Sequence, residues 1–219
     1  MQPRHLTVAR TARYFTLGPD DAPVRELWIV LHGYAQLAAR FLRWFVPLDD
    51  GATVIAAPEA LSRFYLETRL DGTHGPAIGA TWLTREDRAA EITDMRGYLD
   101  HLVQVLRETH RPEQVTILGF SQGSTTAARW VETSPVAPDH LVLWGAPVAA
   151  DVALDALTTR LAGRPVTLVA GDADPHAPAG ALEDQAAALI RAGALASAVR
   201  FTGGHTVDGA TLRRIAGRA

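Results

Sequence analysis

The chain has 219 residues, 47% hydrophobic and 21% charged, with a formal net charge of −3. That balance is globular, long enough to bury one core, and gives no electrostatic reason to expect nucleic acid or an anionic membrane surface as a partner. With no cysteine, and with 21 basic residues that are all arginine, the chain is excluded from disulfide, thiolate, zinc–thiolate, lysine Schiff-base and P-loop chemistry.

No window approaches the ~20 consecutive apolar residues of a membrane span. Met1-Gln2-Pro3-Arg4-His5 lacks the apolar run of a secretion signal, so a cytoplasmic location is expected.

Along the chain, His5 to Leu17 reads as one or two edge strands, and Gly18 to Pro23 as a turn. Leu27-Trp28-Ile29-Val30-Leu31 is a continuous apolar run, the mark of a strand buried on both faces, and it ends in His32-Gly33-Tyr34. From Gln36 to Pro47 the residues Leu37, Phe41, Leu42, Trp44 and Phe45 predict an apolar helix face. Ala52 to Ala57 is a second buried strand, stopped by Pro58.

Glu59 to Thr81 shows no sustained period and reads as a long loop, of the kind that carries function. Thr84-Arg85-Glu86-Asp87 predicts a capped helix start, and Ile92, Met95, Leu99, Leu102, Val103 and Leu106 continue one helical face to about His110. Val115 to Leu118 is a strand, followed after a tight turn by a helix to about Glu132. Strands at Leu141–Trp144, Pro165–Ala170 and Ala198–Phe201 alternate with helices at 152–161, 181–192 and 206–217. Strand–helix alternation over the whole length predicts a single domain, 1–219, with a mostly parallel sheet covered by helices on both faces.

The tight turn is Gly119-Phe120-Ser121-Gln122-Gly123. A serine between strand and helix, with glycines two residues away on either side, fits a nucleophile elbow. A simple strand-to-helix turn would fit the same five residues. The other strand ends separate the two, because catalytic groups of such sheets gather at carboxyl ends. They carry His32-Gly33-Tyr34, the pair Asp172/Asp174, and Gly203-Gly204-His205, so the order is serine, acid, histidine.

A serine hydroxyl needs an imidazole to take its proton, and the imidazole needs a carboxylate to fix its tautomer. Asp174 is the preferred acid, since a few residues after the strand are needed to bend back toward the histidine; Asp172 is the alternative. His205 is the preferred base and His176 its competitor. His32 is read as bracing its own loop, and Asp208 as part of the last helix's first turn. The oxyanion donors expected are the backbone N–H groups of Gln122 and Tyr34.

Leu31-His32-Gly33-Tyr34, Gly119-Phe120-Ser121-Gln122-Gly123, Gly171-x-x-Asp174 and Gly203-Gly204-His205 together resemble the phospholipase/carboxylesterase family of α/β-hydrolases, which includes the acyl-protein thioesterases. The resemblance runs from about Leu27 to the end. It implies an α/β-hydrolase fold without a large cap domain and cleavage of carboxylic esters or thioesters with no cofactor and no metal. The implied roles are Ser121 as nucleophile, Asp174 as acid, His205 as base, and the Tyr34 and Gln122 amides at the oxyanion.

Two departures stand out. Where that family usually has Gly and then Asp or Asn, this chain has Ala35 and Gln36, and the segment from Glu59 to Arg88 does not match the thioesterases. The expected partner is a small-molecule ester with a small, medium or aryl acyl group, without nucleic acid or membrane insertion; a homodimer is left open. Phe64, Tyr65 and Trp82 are candidates for a substrate pocket. The rival functions are acyl transfer by the same triad and a catalytically silent binding protein.

Overall fold

The computed structural model describes residues 2–218. Seven strands form one sheet: β1 (Tyr14–Leu17), β2 (Glu26–Leu31), β3 (Thr53–Pro58), β6 (Gln114–Phe120), β7 (His140–Trp144), β8 (Pro165–Gly171) and β9 (Leu195–Phe201), in the spatial order β1-β3-β2-β6-β7-β8-β9. All pairings are parallel except that of β1 with β3. The helices are α1 (Ala38–Phe41), α2 (Arg88–His110), α3 (Gln122–Thr133), α4 (Leu154–Arg160), α5 (Ala181–Arg191) and α6 (Gly209–Ile215).

Because side chains alternate across a strand, each central strand feeds two cores. Leu27, Ile29 and Leu31 of β2 join Met95, Leu99, Trp130, Val131, Leu157 and Leu189 from α2 to α5 on one face. Trp28 and Val30 turn the other way, onto Phe41, Phe45, Leu48 and Leu212. Fully burying side chains of this size stabilises by about 1.5–3 kcal/mol each. The apolar runs that predicted doubly buried strands are therefore satisfied from both sides.

Four expectations are corrected. Only Tyr14–Leu17 of the N-terminal stretch is a strand, since Leu6 and Val8 stay exposed with no neighbouring strand to pack on. The helix expected from Gln36 is the short α1 followed by a 3-10 helix, Leu42–Leu48, which contains Pro47; a residue without an N–H cannot continue the α-helical ladder.

The predicted long loop contains an antiparallel hairpin, β4 (Ser62–Tyr65) with β5 (Ile78–Thr81), separate from the main sheet. Finally, α2 begins at Arg88 rather than after Thr84. The Thr84 hydroxyl and N–H are held by Glu91, and the chain enters the helix through Asp87 at φ 45°.

Candidate active site

The carboxyl ends of β2, β6, β8 and β9 meet at one edge of the sheet. Ser121 sits between β6 and α3 at φ 55°, ψ −118°, a conformation that costs of order 1–3 kcal/mol for a non-glycine residue. The turn is held because Ser121 N–H donates to the Trp144 carbonyl at 2.7 Å and Ser121 O accepts from Ser124 N–H at 2.9 Å. Its glycines are sterically required. A Cβ on Gly119 would lie 2.1 Å from the Gly123 carbonyl oxygen, and one on Gly123 would lie 2.1 Å from that of Leu31.

After β8 the chain turns so that Asp174, its side chain 1% exposed, accepts from His205 Nδ1 at 2.8 Å. Its other oxygen accepts from the backbone N–H of His176 at 2.9 Å. Asp172, the alternative acid, is exposed and instead accepts from Gly203 N–H at 3.0 Å, closing the two loops on each other. The competing His176 contributes its ring only as an edge packed on His205, centroids 4.6 Å apart.

The His205 ring also rests on Phe120 at 4.7 Å and against Gly145, where a Cβ would come within 3.0 Å of it. With Nδ1–H donated to the carboxylate, Nε2 is the nitrogen left to accept a proton. No hydrogen bond joins Ser121 to His205 among the described residues; such contacts in free enzymes commonly close only when substrate is bound.

The loop after β2 carries the second expected oxyanion donor. Tyr34 N–H makes no backbone hydrogen bond among the described residues. Gln122 is the first residue of α3, where amide groups have no intrahelical acceptor. The two departures from the family pattern have structural counterparts here. Ala35 adopts φ 63°, the left-handed region that favours glycine, and the Gln36 side chain accepts from Gly33 N–H at 2.8 Å.

His32 braces this loop, as its position implied. It is fully buried, its Nδ1 bonds the Gly33 carbonyl at 2.8 Å, and its Nε2 accepts from Ala60 N–H at 3.1 Å. Burial lowers its pKa against the smaller upward pulls of the Gly33 carbonyl and Glu59, which matches the neutral ring this pattern requires. Asp208 caps α6 by accepting from Thr211 N–H at 2.7 Å.

The three pocket candidates separate. Phe64 is half-buried, its ring 5.5 Å from that of Tyr34, and so lies beside the loop after β2. Tyr65, the next residue of β4, stacks on His74 at 4.4 Å and is half exposed. Trp82 is 4% exposed within the core, and its Nε1–H donates to the His32 carbonyl at 2.8 Å; it supports the loop from below.

Sequence reasoning missed three supporting side chains. Glu59, completely buried at its side chain, binds Arg13 at 2.7 Å and Arg63 at 3.2 Å. Burial alone would push its carboxyl up, but these two guanidiniums hold it below the usual range. Arg200 on β9 reaches the carbonyls of Gly171, Ala177 and Pro178 and pairs with Glu183 at 2.8 Å, clamping the Asp174 loop. The Gln122 side chain is the third. A charged residue inside an otherwise apolar last strand was the one signal for Arg200.

No protein-family model matches the sequence. Over 105 residues the chain is 30% identical to the poly(3-hydroxyalkanoate) polymerase subunit PhaC of Synechocystis sp., a match covering 48% of this chain and 25% of that subunit. It therefore spans a quarter of that relative's length.

Among solved structures, esterase PE8 superposes with a TM-score of 0.68 at 23% identity, over 94% of this chain and all of PE8. Acyl-protein thioesterase 2 of Zea mays superposes at 0.72 and 15% identity, over 94% and 97% of the two chains. These likenesses agree with the resemblance drawn from the four strand-end motifs, and at such identities they establish architecture. The chain has the α/β-hydrolase fold, in common with esterases and acyl-protein thioesterases.

Proposed function

We propose that the protein is a cofactor-independent serine hydrolase that cleaves carboxylic esters or thioesters of small, medium or aryl acyl groups. The observation that carries this reading is the 2.8 Å pair of His205 Nδ1 with the buried Asp174, placed at the strand ends beside the strained Ser121. In this reading Ser121 Oγ attacks the carbonyl carbon while His205 Nε2 takes its proton. The oxyanion is received by the N–H groups of Tyr34 and Gln122.

Collapse breaks the bond to the leaving alkoxide or thiolate, which receives that proton from His205. Water then attacks the acyl–Ser121 carbonyl and gives its proton to His205, which passes it to Ser121 Oγ as the acyl–oxygen bond breaks, releasing the acid and free serine. Asp174 stays ionised and holds the imidazole tautomer throughout.

The test is a fluorophosphonate probe with a panel of p-nitrophenyl and thioester substrates. Wild type is expected to be labelled and to turn over at least one member, and Ser121→Ala to do neither. Labelling of both proteins at equal rate removes Ser121 from the mechanism.

A second reading is acyl transfer to an alcohol, favoured by the match to a polymerase subunit. The acyl–serine would then be attacked by a hydroxyl in place of water. Product analysis with a hydroxyacyl thioester distinguishes the two, free acid marking hydrolysis and lengthened esters marking transfer.

A further inference from the structure

The mechanism above uses only the backbone of Gln122, yet its side chain is one of the most heavily bonded in the molecule. It turns away from Ser121 toward the end of β5. Nε2 donates to Thr81 Oγ1 and to the Leu83 carbonyl, both at 2.9 Å. Oε1 accepts from Trp82 N–H at 3.1 Å, and Thr81 Oγ1 in turn donates to the Leu83 carbonyl at 2.9 Å.

The segment so gripped is the one that holds the other oxyanion loop. Trp82 Nε1–H donates to the His32 carbonyl, two residues before Tyr34, and the Trp82 ring packs 5.1 Å from that of His32. On the far side of Tyr34, Ala35 N–H donates to Ala80 O at 2.9 Å and Ala80 N–H to Gln36 O at 3.2 Å. Tyr34 is thus held before and behind by residues 80 and 82, and residues 81 to 83 are held by Gln122.

Two N–H donors on different elements stabilise one oxyanion only if their separation is set within a fraction of an ångström; a 1 Å error costs about 100-fold in rate. Nothing in the backbone bonding described joins α3 directly to the Tyr34 turn. We infer that the Gln122 side chain, acting through Thr81–Trp82–Leu83, is a positioning residue that sets the spacing between the Gln122 and Tyr34 amides.

This rests on the hydrolase reading and adds a coupling to it. The residue that donates one oxyanion hydrogen bond also places the other donor. The amide is suited to the task because it supplies two donors and one acceptor in one plane, matching a hydroxyl, a carbonyl and an N–H at once.

The experiment compares wild type, Gln122→Ala, Trp82→Phe and the double variant on one p-nitrophenyl ester, with active sites counted by exhaustive fluorophosphonate labelling. In Gln122→Ala, kcat per active site is expected to fall roughly 10- to 100-fold while KM changes by less than about twofold. Affinity for a boronic acid, which forms a tetrahedral anion on serine, should fall by the same factor as kcat.

Trp82→Phe keeps an aromatic ring in the core and removes the donor to His32 together with part of the indole's volume; it should lose kcat in the same way. It carries the test alone if Gln122→Ala does not fold. The double variant should be little worse than the poorer single one, because both changes cut one chain of contacts. Unchanged kcat per active site with only a lower Tm, or losses that add in full, would overturn the positioning role. Absence of turnover and labelling in wild type would instead overturn the hydrolase reading.

Discussion

At the scale of single residues, Asp172 and Asp174 are two positions apart and chemically identical, yet the fold gives them different partners. Asp174 is buried on the imidazole, while Asp172 faces solvent and ties Gly203. Asp174→Asn is expected to lower kcat by about 10³- to 10⁴-fold, since a carboxamide cannot hold the required tautomer or the imidazolium. Asp172→Asn keeps an acceptor for Gly203 N–H and should cost less than about tenfold. Steady-state kinetics of the two variants on the same ester decide it, and the reverse ranking would move the acid to Asp172.

Ala35 gives a second prediction at this scale. An alanine at φ 63° pays for its Cβ in the left-handed region, by about 1–2 kcal/mol. Ala35→Gly removes that cost and returns part of it as unfolded-chain entropy, so a net gain of about 0.5–1 kcal/mol is expected in urea unfolding. A loss of stability would show that the methyl packs to advantage. The Ala35-Gln36 pair could be seen in the sequence as a departure from the family pattern. That the backbone keeps a left-handed turn there regardless, with Gln36 capping Gly33, is a consequence of how Ala80 holds both residues.

At the scale of elements, the Asp174 loop is only as rigid as its clamp. Arg200 binds three carbonyls of residues 171 to 178, and its partner Glu183 has its pKa lowered to about 2, chiefly by the hydrogen bond from Arg200. A depressed carboxyl pKa keeps its contribution above the unfolded value near 4.5 and loses it only as pH falls toward about 2, so the clamp persists through the ordinary working range. Arg200→Ala should lower stability at pH 7, through the hydrogen bonds it makes to the Gly171, Ala177 and Pro178 carbonyls. It should also lower kcat more than it raises KM, because Asp174 and not the substrate surface is released. Urea unfolding and kinetics on one sample test both halves; a pure KM effect would mean that the loop binds substrate directly.

The β4–β5 hairpin shows why element prediction failed between Glu59 and Thr81. Its strands are four residues each and, apart from one bridge from Ala80 to Gln36, pair with one another, too short to display a period. Their place is set by distant contacts from Gln36 to Ala80 and from Gln122 to Trp82.

At the scale of the whole molecule, two histidines are held neutral by burial. His32 lies at the start of the loop after β2; His140, on β7 beside Thr167, has its pKa lowered by burial alone. As pH falls below the unfolded histidine value near 6.5, the unfolded chain takes up protons that the native state refuses. Stability should then fall as pH drops below about 6.5. Urea unfolding at several pH values measures the slope, and His140→Gln should reduce it. A flat profile would mean that these rings take up protons in the folded state as readily as in the unfolded chain.

What the sequence determined by itself was whatever depends on local pattern and chain order. Doubly apolar runs announced buried strands, their alternation with helical faces announced the parallel sheet, and glycines around Ser121 announced a turn that no larger residue permits. The order of strand ends also placed serine, acid and histidine at one edge. Tertiary structure alone decided which aspartate is buried, which histidine faces it, and that Trp82 supports the His32–Tyr34 loop from the core. These depend on side chains brought together from positions 31 to 50 residues apart, such as His205 with Asp174 and Trp82 with His32. The physical reason is that a hydrogen bond of this kind leaves no period in the sequence; only the packing of the sheet brings its two ends within 3 Å.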